Sequence, residues 1–510
     1  MPLVQTNRLT PGELRPDTLQ VYCGLDTMIT FEVFEALQRL FNTEPITYNF
    51  ERSLQGPILE IMLRGFLVDQ YERRNAINSL KTQIARLDSI LQRYAHAVWN
   101  KPLNPRSHQQ LKSFFYTTMR LPEVLIAEKG QRKISFRREA LEKLEVYFHA
   151  MPIIACIMAI RDTSKQLEIL ETEIDPDGRM RTSYNIAGTE TGRLSSSSNA
   201  FGTGGNLQNI PPELRRVYIA DTGWKLCVID LEQAEARELG WQCGVLFGDW
   251  SYLDNCESGD LHTTNAKLIW KDLPWTGDKA KDRKIAEQIF YREFTYRDMS
   301  KRGGHGTNYY GKPFTIARHL KVPVKLIESF QQAYFQAYPA IPRFHQWVAM
   351  QIQRLQPLVT PFGRVRHFFG RPNDDSTLRE AIAYMGQSPT ADRTDTGLLN
   401  HWLYFGTSTQ LLGQTHDSIT FQYNPKHEAE IIPKALELMK IYHEHNGRRF
   451  TIPGEAKIGW NWGNYADQSD ISRAIEQGKK PPILNLNGLR KYSPTKPDTR
   501  ECLVGLNRVL

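Results

Sequence analysis

The chain has 510 residues, more than the roughly 250–300 that one hydrophobic core usually serves, so we expect two or more domains. Hydrophobic residues make up 40% of the sequence, which excludes a disordered or fibrous protein. Lys and Arg outnumber Asp and Glu by 64 to 56, which favours a polyanionic partner, although many basic proteins merely carry a solvated positive surface.

Cysteine spacing and hydropathy indicate the compartment. The six cysteines are scattered without a C-x-x-C pair, which predicts a reducing environment. No run reaches the ~18 apolar residues that a membrane span needs, and the N-terminal residues contain no apolar signal core. We therefore expect a cytoplasmic protein without a membrane segment.

The hydrophobic pattern of the N-terminal third predicts mostly helix. Residues 1–50 contain one amphipathic stretch, Asp26 to Leu40, which is too short for a domain and is either a cap or a remnant. An apolar run from Pro57 to Asp69 follows. The next hundred residues place apolar side chains at helical spacing, which predicts a long helical arm.

The middle of the chain alternates loops, strands and helices. Residues 182–211 are polar and glycine-rich, which predicts ordered loops or short strands, and loops of this length usually bind a ligand. Gly223 to Asp230 predicts a buried strand that ends in a carboxylate, with a helix from about Glu232. Residues 246–360 are mostly helical in pattern.

Towards the C-terminus, the alternation at residues 410–423 predicts two strands that meet at a tight turn containing His416 and Asp417. The last forty or so residues are rich in Lys and Pro, which predicts a surface extension. We detect no internal repeat.

Two aspartates are candidates for metal-assisted phosphoryl transfer, in which two cations ~3.5–4 Å apart neutralise the charge on the attacking and leaving oxygens. Asp230 closes one predicted strand and Asp417 lies at the hairpin turn, so both point at one place if the strands are adjacent. Taken singly, a strand-end Asp is more often a turn or capping residue than a metal ligand.

A second pattern runs from Arg297 to Gly311. Arg297, Lys301, His305 and Tyr309 follow each other at four-residue steps, which forms one stripe ~18 Å long on an α-helix, about the length of a nucleoside triphosphate. Cations at its start suit phosphates and rings further along suit sugar and base, although spaced basic residues usually face water. Three glycines in this segment disfavour helix, and we attribute them to close approach of DNA or to hinge motion.

An ordered set of motifs resembles DNA polymerases of family A over most of the chain. LQGPILEIMLRGFLVD and LNPRSHQQLKSFF resemble the entry to the thumb, and RTSYN, TGRLSS and NLQNIP resemble the most distinctive block of the family. VIDLEQAEAR resembles motif A, RDMSKRGGHGTNYYG motif B, LREAIAYMGQSPTAD the segment before motif C, QTHDSITF motif C, and IGWNWGNY the closing palm segment.

The resemblance implies an α+β protein with the right-hand polymerase fold, which has an antiparallel-sheet palm, a helical thumb and helical fingers. The implied boundaries are 1–50 for the edge or remnant of an exonuclease-like region, 51–69 for the palm entry, 70–185 for the thumb, 186–245 for the first palm part, 246–360 for the fingers, 361–466 for the second palm part and 467–510 for a C-terminal extension. The source is expected to be a phage or a bacterium.

The implied activity is addition of deoxynucleotides (dNTPs) to a primer 3′-hydroxyl on template DNA, with two Mg²⁺ ions or Mn²⁺ as substitute. The metal ligands would be Asp230, Asp417 and the carbonyl of Leu231, and Lys301 joins the two aspartates as a catalytic candidate because it could protonate the pyrophosphate. The nucleotide-binding residues would be Gln233, Glu235, Arg297, Lys301, His305 and Tyr309, with Glu235 excluding a ribose 2′-hydroxyl. The DNA-binding residues would be Arg193, Asn206, Gln208, Arg379, Gln387 and His416.

Three departures from the family pattern bear on substrate discrimination. His305 stands where the family has Phe or Tyr, Tyr310 replaces a glycine, and Ser418 replaces the Glu of a His-Asp-Glu triplet. These departures keep a non-catalytic DNA-binding or replication scaffold as one alternative. A single-subunit RNA polymerase or reverse transcriptase is the other, and Glu235 argues against it.

YCGLD, with Tyr22 and Asp26, resembles the last motif of the family's 3′–5′ exonuclease domain. Because one Asp cannot hold two ions, we expect no proofreading by this chain alone. A separate exonuclease polypeptide completed by these two residues, or a processivity factor, is a candidate partner. A helix cap explains the motif equally well, and we expect the polymerase chain itself to be monomeric.

Overall fold

The computed structural model describes residues 16–40, 46–128, 131–199, 203–291, 294–476, 480–496 and 498–502. Its first part runs from the N-terminal helix through the arm that the sequence predicts. The elements are α1 (Pro16–Leu40), α2 (Ile46–Ser53), α3 (Gln55–Arg64), β1 (Phe66–Val68), α4 (Gln70–Trp99), α5 (His108–Lys112), β2 (Leu125–Glu128), β3 (Gln131–Ile134), α6 (Arg138–Leu144) and α7 (Met151–Glu171).

The arm is built on the long pair α4 and α7, which confirms the helical pattern. Asp69 starts α4, because its carboxylate accepts hydrogen bonds from the backbone N–H groups of Tyr71 and Glu72 at 2.9 and 3.2 Å. Asn100 ends the helix in the left-handed conformation, with φ at 53°. A separate apolar core fills the arm, and it includes Leu91, Phe114, Leu141 and Ile157.

The second part of the chain contains short strands and then the helical lobe, residues 251–353. Its elements are β4 (Arg179–Met180), β5 (Ser183–Asn185), β6 (Ser195–Ser197), β7 (Tyr218–Ile219), β8 (Lys225–Leu231), α8 (Ala234–Phe247), α9 (Ser251–Glu257), α10 (Leu261–Ile269), α11 (Lys279–Ala286), β9 (Ile289–Tyr291), β10 (Phe294–Thr295), α12 (Tyr296–Asn308), α13 (Pro313–Leu320), α14 (Val324–Ala337) and α15 (Ala340–Gln353).

The third part returns to the sheet. Its elements are β11 (Leu358–Val359), β12 (Val365–Arg366), α16 (Asp375–Phe405), β13 (Thr409–Thr415), β14 (Ser418–Tyr423), α17 (Glu428–Leu438), β15 (His443–His445), β16 (Arg448–Phe450), β17 (Gly454–Gly459), α18 (Gln468–Glu476) and β18 (Arg490–Lys491). None of the helices in the described ranges combines the length and the apolar character needed to cross a membrane.

Five antiparallel strands form the central sheet in the order β13-β14-β8-β17-β18. The strand predicted before Asp230 is β8, and the predicted hairpin at residues 410–423 is β13 and β14. One face packs on α16 and α17 through a core that includes Ile229, Leu398 and Phe421. The expected α+β class with an antiparallel sheet is therefore confirmed.

The C-terminal segment is not only a surface extension. β18 adds the fifth strand of the central sheet, where Arg490 pairs with Ile458 and Lys491 with Lys457. Arg500 donates hydrogen bonds to the carbonyls of Gly488 and Ile458 at 2.9 and 3.1 Å. Lys and Pro content indicated exposure, but it carried no information about this strand pairing.

Gly303 and Gly306 of α12 serve helix packing, which corrects the interpretation that close approach of DNA explains them. A Cβ at Gly303 would lie 2.8 Å from the ring of Phe330 on α14, and one at Gly306 would lie 2.9 Å from Ile316 on α13. The missing side chains let α12 approach its neighbours closely, so the space they leave is filled by protein and not by DNA.

Candidate active site

Asp230 and Asp417 lie side by side at one end of the central sheet. Asp230 pairs across the strands with Ser418, the residue after Asp417, and the N–H of Leu231 donates to the carbonyl of Asp417 at 3.1 Å. The turn before Asp417 is tight because His416 adopts the left-handed region, with φ at 55°. The predicted adjacency of the two aspartates is therefore confirmed.

The two carboxylates carry charge of the same sign and lie close enough for one proton to be shared between them. Partial burial and then the neighbouring Asp417 carboxylate raise the pKa of Asp230 from 3.8 to about 7. Burial also raises the pKa of Asp417, and Glu235 contributes, whereas Arg193 opposes the rise. A cation is the group that would relieve this repulsion.

The donor set fits a divalent ion that is shared with a bound ligand. Mg²⁺ is usually held by one or two carboxylates together with substrate phosphates, and seldom by a cage of protein groups alone. Across the residues described, no cluster of three or more Asp, Glu, His and Cys side chains could hold a metal ion. Asp230 and Asp417 therefore suit an ion that arrives with a phosphate-bearing ligand.

The aspartate pair forms part of the lining of a cleft of about 340 Å³ between the central sheet and the helical lobe. Leu231, the third predicted metal ligand, also lines it, as do most of the predicted nucleotide-binding residues, which are Gln233, Glu235, Lys301, His305 and Tyr309. Gln233 lies at the N-terminus of α8 with φ at 54°, so the chain turns sharply from β8 into the helix. This turn brings the first residues of α8 beside Asp230.

Glu235 is held in the cleft by two residues that the sequence analysis also singled out, one as DNA-binding and one as nucleotide-binding. Its Oε1 accepts a hydrogen bond from Arg193 Nη2 at 2.6 Å, and its Oε2 accepts one from the hydroxyl of Tyr309. Tyr309 also contacts the side chain of Gln387 on α16. Three segments far apart in sequence therefore meet at the Glu235 carboxylate.

The predicted stripe lies along α12, but its first residue, Arg297, is already paired with a carboxylate. The helix begins at a capping box formed by Thr295 and Asp298. Arg297 makes two hydrogen bonds to Asp260, at 2.9 and 3.0 Å, and these help lower the pKa of Asp260 to about 2 although burial opposes them. Arg297 does not line the cleft in this structure.

Further along the stripe, Lys301 and His305 are exposed and Tyr309 is half-buried. Lys301 is exposed and forms no ion pair with any other described residue. The rings of His305 and Tyr309 lie 4.9 Å apart, centroid to centroid, at 62°. One face of α12 therefore presents a cation followed by two rings, as the four-residue spacing predicts.

His262 is a cleft residue that the sequence did not reveal. It lines the cleft from α10, and its Nδ1 is buried without a hydrogen-bond partner among the described residues. Burial and then the charge of Arg297 lower the pKa of His262 to about 4, so it is neutral near pH 7. No spacing relates it to α12, so only the tertiary structure brings it here.

Two of the predicted DNA-binding residues, Gln208 and His416, are linked by hydrogen bonds at the hairpin turn. Gln208 donates to Gln414 at 3.1 Å, and Gln414 in turn donates to the carbonyl of His416 at 2.8 Å. Asn206 is exposed and accepts a hydrogen bond from Ser196. Gln414 was not singled out from sequence, because a glutamine in a strand has no distinctive pattern.

Arg379 lies two turns before Gln387 on α16 and is half-buried. Tyr22 and Asp26 both lie on α1, and Asp26 is exposed. Within the described ranges neither joins a cluster of carboxylates that could hold a metal ion.

The departures from the family pattern have distinct local effects. Tyr310 takes a positive φ of 58°, the conformation that favours glycine. Its ring packs against His345 at 5.3 Å and under the ammonium group of Lys312 at 4.3 Å, so these contacts offset the backbone strain. Ser418 is buried and donates to the carbonyl of Thr415 at 2.8 Å, so it holds the hairpin and bears no charge.

The family model described as DNA polymerase family A matches residues 74–464. DNA polymerase I of Chloroflexus aurantiacus is 26% identical over 475 residues, which cover 86% of this chain and 46% of that protein. The thermostable DNA polymerase I of Thermus aquaticus is 26% identical over 432 residues, with 80% and 47% covered.

Among solved structures, the chain is similar to the POL domain of Pol1 from M. smegmatis in complex with DNA primer-template and dNTP. The TM-score is 0.65 at 22% sequence identity, and the similarity covers 81% of this chain and 69% of that chain. The chain spans about half the length of the DNA polymerase I relatives that it matches.

Proposed function

Because this chain belongs to DNA polymerase family A, we propose that it catalyses template-directed DNA synthesis by adding dNTPs to a primer 3′-hydroxyl. The observation that carries the proposal is the pair Asp230 and Asp417, at the end of β8 and at the turn before β14, which lines one cleft together with Lys301 and His305 of α12. A carboxylate pair opposite a cation is what a triphosphate and its metal ions require.

The right-hand fold expected from the sequence is confirmed by the likeness to the POL domain. In these terms the central sheet is the palm, the arm is the thumb and the helical lobe is the fingers. We propose the boundaries 51–69, 186–245 and 361–466 for the palm parts, 70–185 for the thumb and 246–360 for the fingers, with residues 1–50 and 467–510 flanking them.

We propose that Asp230, Asp417 and the carbonyl of Leu231 hold two Mg²⁺ ions, with Mn²⁺ as a substitute. The raised pKa values support this, since the aspartate pair carries more negative charge than its surroundings compensate. When bound, such ions lower the pKa of the attacking hydroxyl and neutralise the departing pyrophosphate. The end of β8 and the turn before β14 hold the two carboxylates side by side, so both would be available to the same pair of ions.

The triphosphate is proposed to lie along α12. Lys301 suits a phosphate oxygen, and its ammonium group can give a proton to the leaving pyrophosphate. Asp260 holds Nε and Nη2 of Arg297, so a phosphate would compete with that carboxylate for these two donors. His305 and Tyr309 present rings to the sugar and base, and Gln233 contacts the nucleotide from α8.

Glu235 is proposed to select the sugar. Its carboxylate is fixed at both oxygens, by Arg193 and by Tyr309, so it cannot move aside for an added hydroxyl. A 2′-hydroxyl placed against it would need one of those hydrogen bonds to break. This rigid placement favours deoxynucleotides.

Primer-template DNA is proposed to cross the cleft rim. The contacts would come from Arg193, Asn206, Gln208, Arg379, Gln387 and His416. Most of the affinity would come from phosphate contacts, so binding should weaken steeply with salt. The Gln208–Gln414–His416 chain would hold the hairpin turn against the primer end. A separate exonuclease polypeptide or processivity factor stays a prediction.

Primer extension with Mg²⁺ tests the proposal. The wild-type protein should extend a primed template with dNTPs, and Asp417→Asn should abolish extension while primer-template binding persists. The hydrogen-bond shape of the side chain survives in this variant, so lost folding is a poor explanation for lost activity.

The alternatives are separated in the same assay. If the wild type binds primer-template but never extends it, the scaffold alternative replaces the proposal. Equal use of dATP and ATP would exclude the deoxynucleotide assignment and favour the RNA polymerase alternative.

A further inference from the structure

A fully buried ion pair lies behind the cleft, between α8 and α16. Glu238 and Arg393 are both 0% exposed, and Glu238 Oε1 lies 2.9 Å from Arg393 Nε and 2.8 Å from Nη2. The two residues are 155 positions apart in sequence. Such a pair joins two long helices at one defined rotation of each.

Arg393 is fixed on its other sides as well. Its guanidinium lies between the rings of Phe362 and Phe450, at 5.4 and 5.0 Å from their centroids, and Nη1 donates to the carbonyl of Ile441. The Glu238 carboxylate is held through one oxygen. Its Oε1 pairs with Arg393, whereas its Oε2 accepts no hydrogen bond from the described residues. The pair therefore sets where Glu238 can lie.

A buried ion pair is a poor device for stability alone. Removing two charges from water costs about as much as their attraction returns, so apolar residues of similar volume often serve equally well. Buried polar pairs are better suited to selecting one arrangement, since any shift leaves a charge unpaired.

Both helices carry residues that contact the cleft residue Tyr309, and these residues lie close to the pair. Glu238 lies one helical turn after Glu235, and Arg393 lies less than two turns after Gln387. Glu235 and Gln387 both contact Tyr309. Gln242 lies one further turn along α8 and donates to the carbonyl of Met385 on α16 at 2.7 Å. Polar contacts therefore join the two helices at both Glu238 and Gln242.

We propose that Glu238 and Arg393 are positioning residues that set the rotation of α8 against α16, and thereby the place of the Glu235 carboxylate against the sugar of the nucleotide. The inference rests on the proposed function and adds a determinant of sugar selection that touches no substrate. Loss of the pair lets α8 turn, which moves Glu235 away from Tyr309 and Arg193 and opens room for a 2′-hydroxyl.

The test is the ratio of kcat/KM for dATP to kcat/KM for ATP on one primed template, measured with the melting temperature of each variant. Glu238→Leu with Arg393→Met replaces the pair by apolar groups, and the double variant should fold. The ratio should fall by about tenfold or more, because misplacement by a fraction of an ångström is costly at a reacting site. The fall should come from better use of ATP and a higher KM for dATP.

Two single variants keep the test decisive. Glu238→Asp retains the charge but withdraws the carboxylate, so it should lower the ratio in the same direction even if the double variant does not fold. Glu238→Gln keeps the length and one acceptor, so it should retain most of the wild-type ratio.

The matched control is Lys225→Met. Lys225 is 3% exposed and paired with Glu428 and Asp498 at 2.8 and 3.1 Å, at the end of β8 far from Asp230. It should lower the melting temperature without changing the ratio. Ratios within about twofold of wild type in folded Glu238→Asp and in the double variant would overturn the proposal, since tenfold is the effect expected of a misplaced group. Failure of the wild type to extend with dATP would instead overturn the proposed function.

Discussion

Replacing Asp230 by Asn should stabilise the metal-free protein at pH 8 and have little effect at pH 4. The folded pKa of Asp230 is raised from 3.8 to about 7 by burial and by Asp417. The stability that the group contributes is therefore fully present below about pH 4 and is lost as the pH rises through about 7. Asn carries no charge at any of these pH values, so the variant avoids the loss.

The gain in the free energy of unfolding follows from the rise in the pKa of Asp230, reduced for screening of the charge by solvent. A change of about three pKa units corresponds to about 4 kcal/mol if none of it is screened. Asp230 is exposed on the open side of the cleft, so screening reduces the gain to about 1–2 kcal/mol in the free energy of unfolding. In a chain of this size that is a rise in melting temperature of about 1–4 °C at pH 8.

The assay is thermal unfolding of wild type and Asp230→Asn from pH 4 to pH 8.5 in the presence of a chelator. The two sets of melting temperatures should coincide below about pH 4, separate progressively between about pH 4 and pH 7, and keep a constant difference above that, with the variant more stable. Adding Mg²⁺ at pH 8 should raise the melting temperature of the wild type more than that of the variant. A difference that is constant with pH, or a variant that is less stable at pH 8, would refute the reasoning.

Three further changes test other parts of the site. Glu235→Ala should raise the use of ATP relative to dATP by about 10–200-fold in single-nucleotide extension, since one steric or polar contact contributes about 1–3 kcal/mol. Tyr310→Gly should leave the free energy of unfolding within about 1 kcal/mol of wild type, because relief of the positive φ offsets the lost ring contacts, whereas Tyr310→Ala keeps the strain and should lose about 1–2 kcal/mol more in chemical denaturation. Asp260→Asn should lower the KM for dNTP several-fold in steady-state extension, because Arg297 no longer has to leave a charged partner.

Each of these has an outcome that contradicts it. Unchanged sugar preference in Glu235→Ala would remove that residue from selection. Equal stability of the Gly and Ala variants at Tyr310 would show that its backbone is not strained. Asp260→Asn keeps an acceptor for the N–H of Thr263 at the start of α10, so a higher KM in a folded variant would mean that Asp260 orients Arg297 and does not compete for it.

Local pattern was sufficient for the parts of the site that depend on neighbouring residues. The apolar run before Asp230 predicted β8, and the alternation around Asp417 predicted β13 and β14 with their turn. Four-residue spacing placed Lys301, His305 and Tyr309 on one face of a helix. Strand and helix periods are repeated every few residues, so a sequence expresses them directly.

Tertiary structure decided everything that depends on two distant segments meeting. Only the strand register places Asp230 beside Asp417, and only helix packing explains why Gly303 has no side chain. Four other features also depend on contacts between distant segments. They are the ion pair of Arg297 with Asp260, the position of His262 in the cleft lining, the pairing of the strand Arg490–Lys491, and the buried ion pair between α8 and α16. They leave no period in the sequence, because each is specified by complementary shape and charge between residues that approach one another only after the chain has folded.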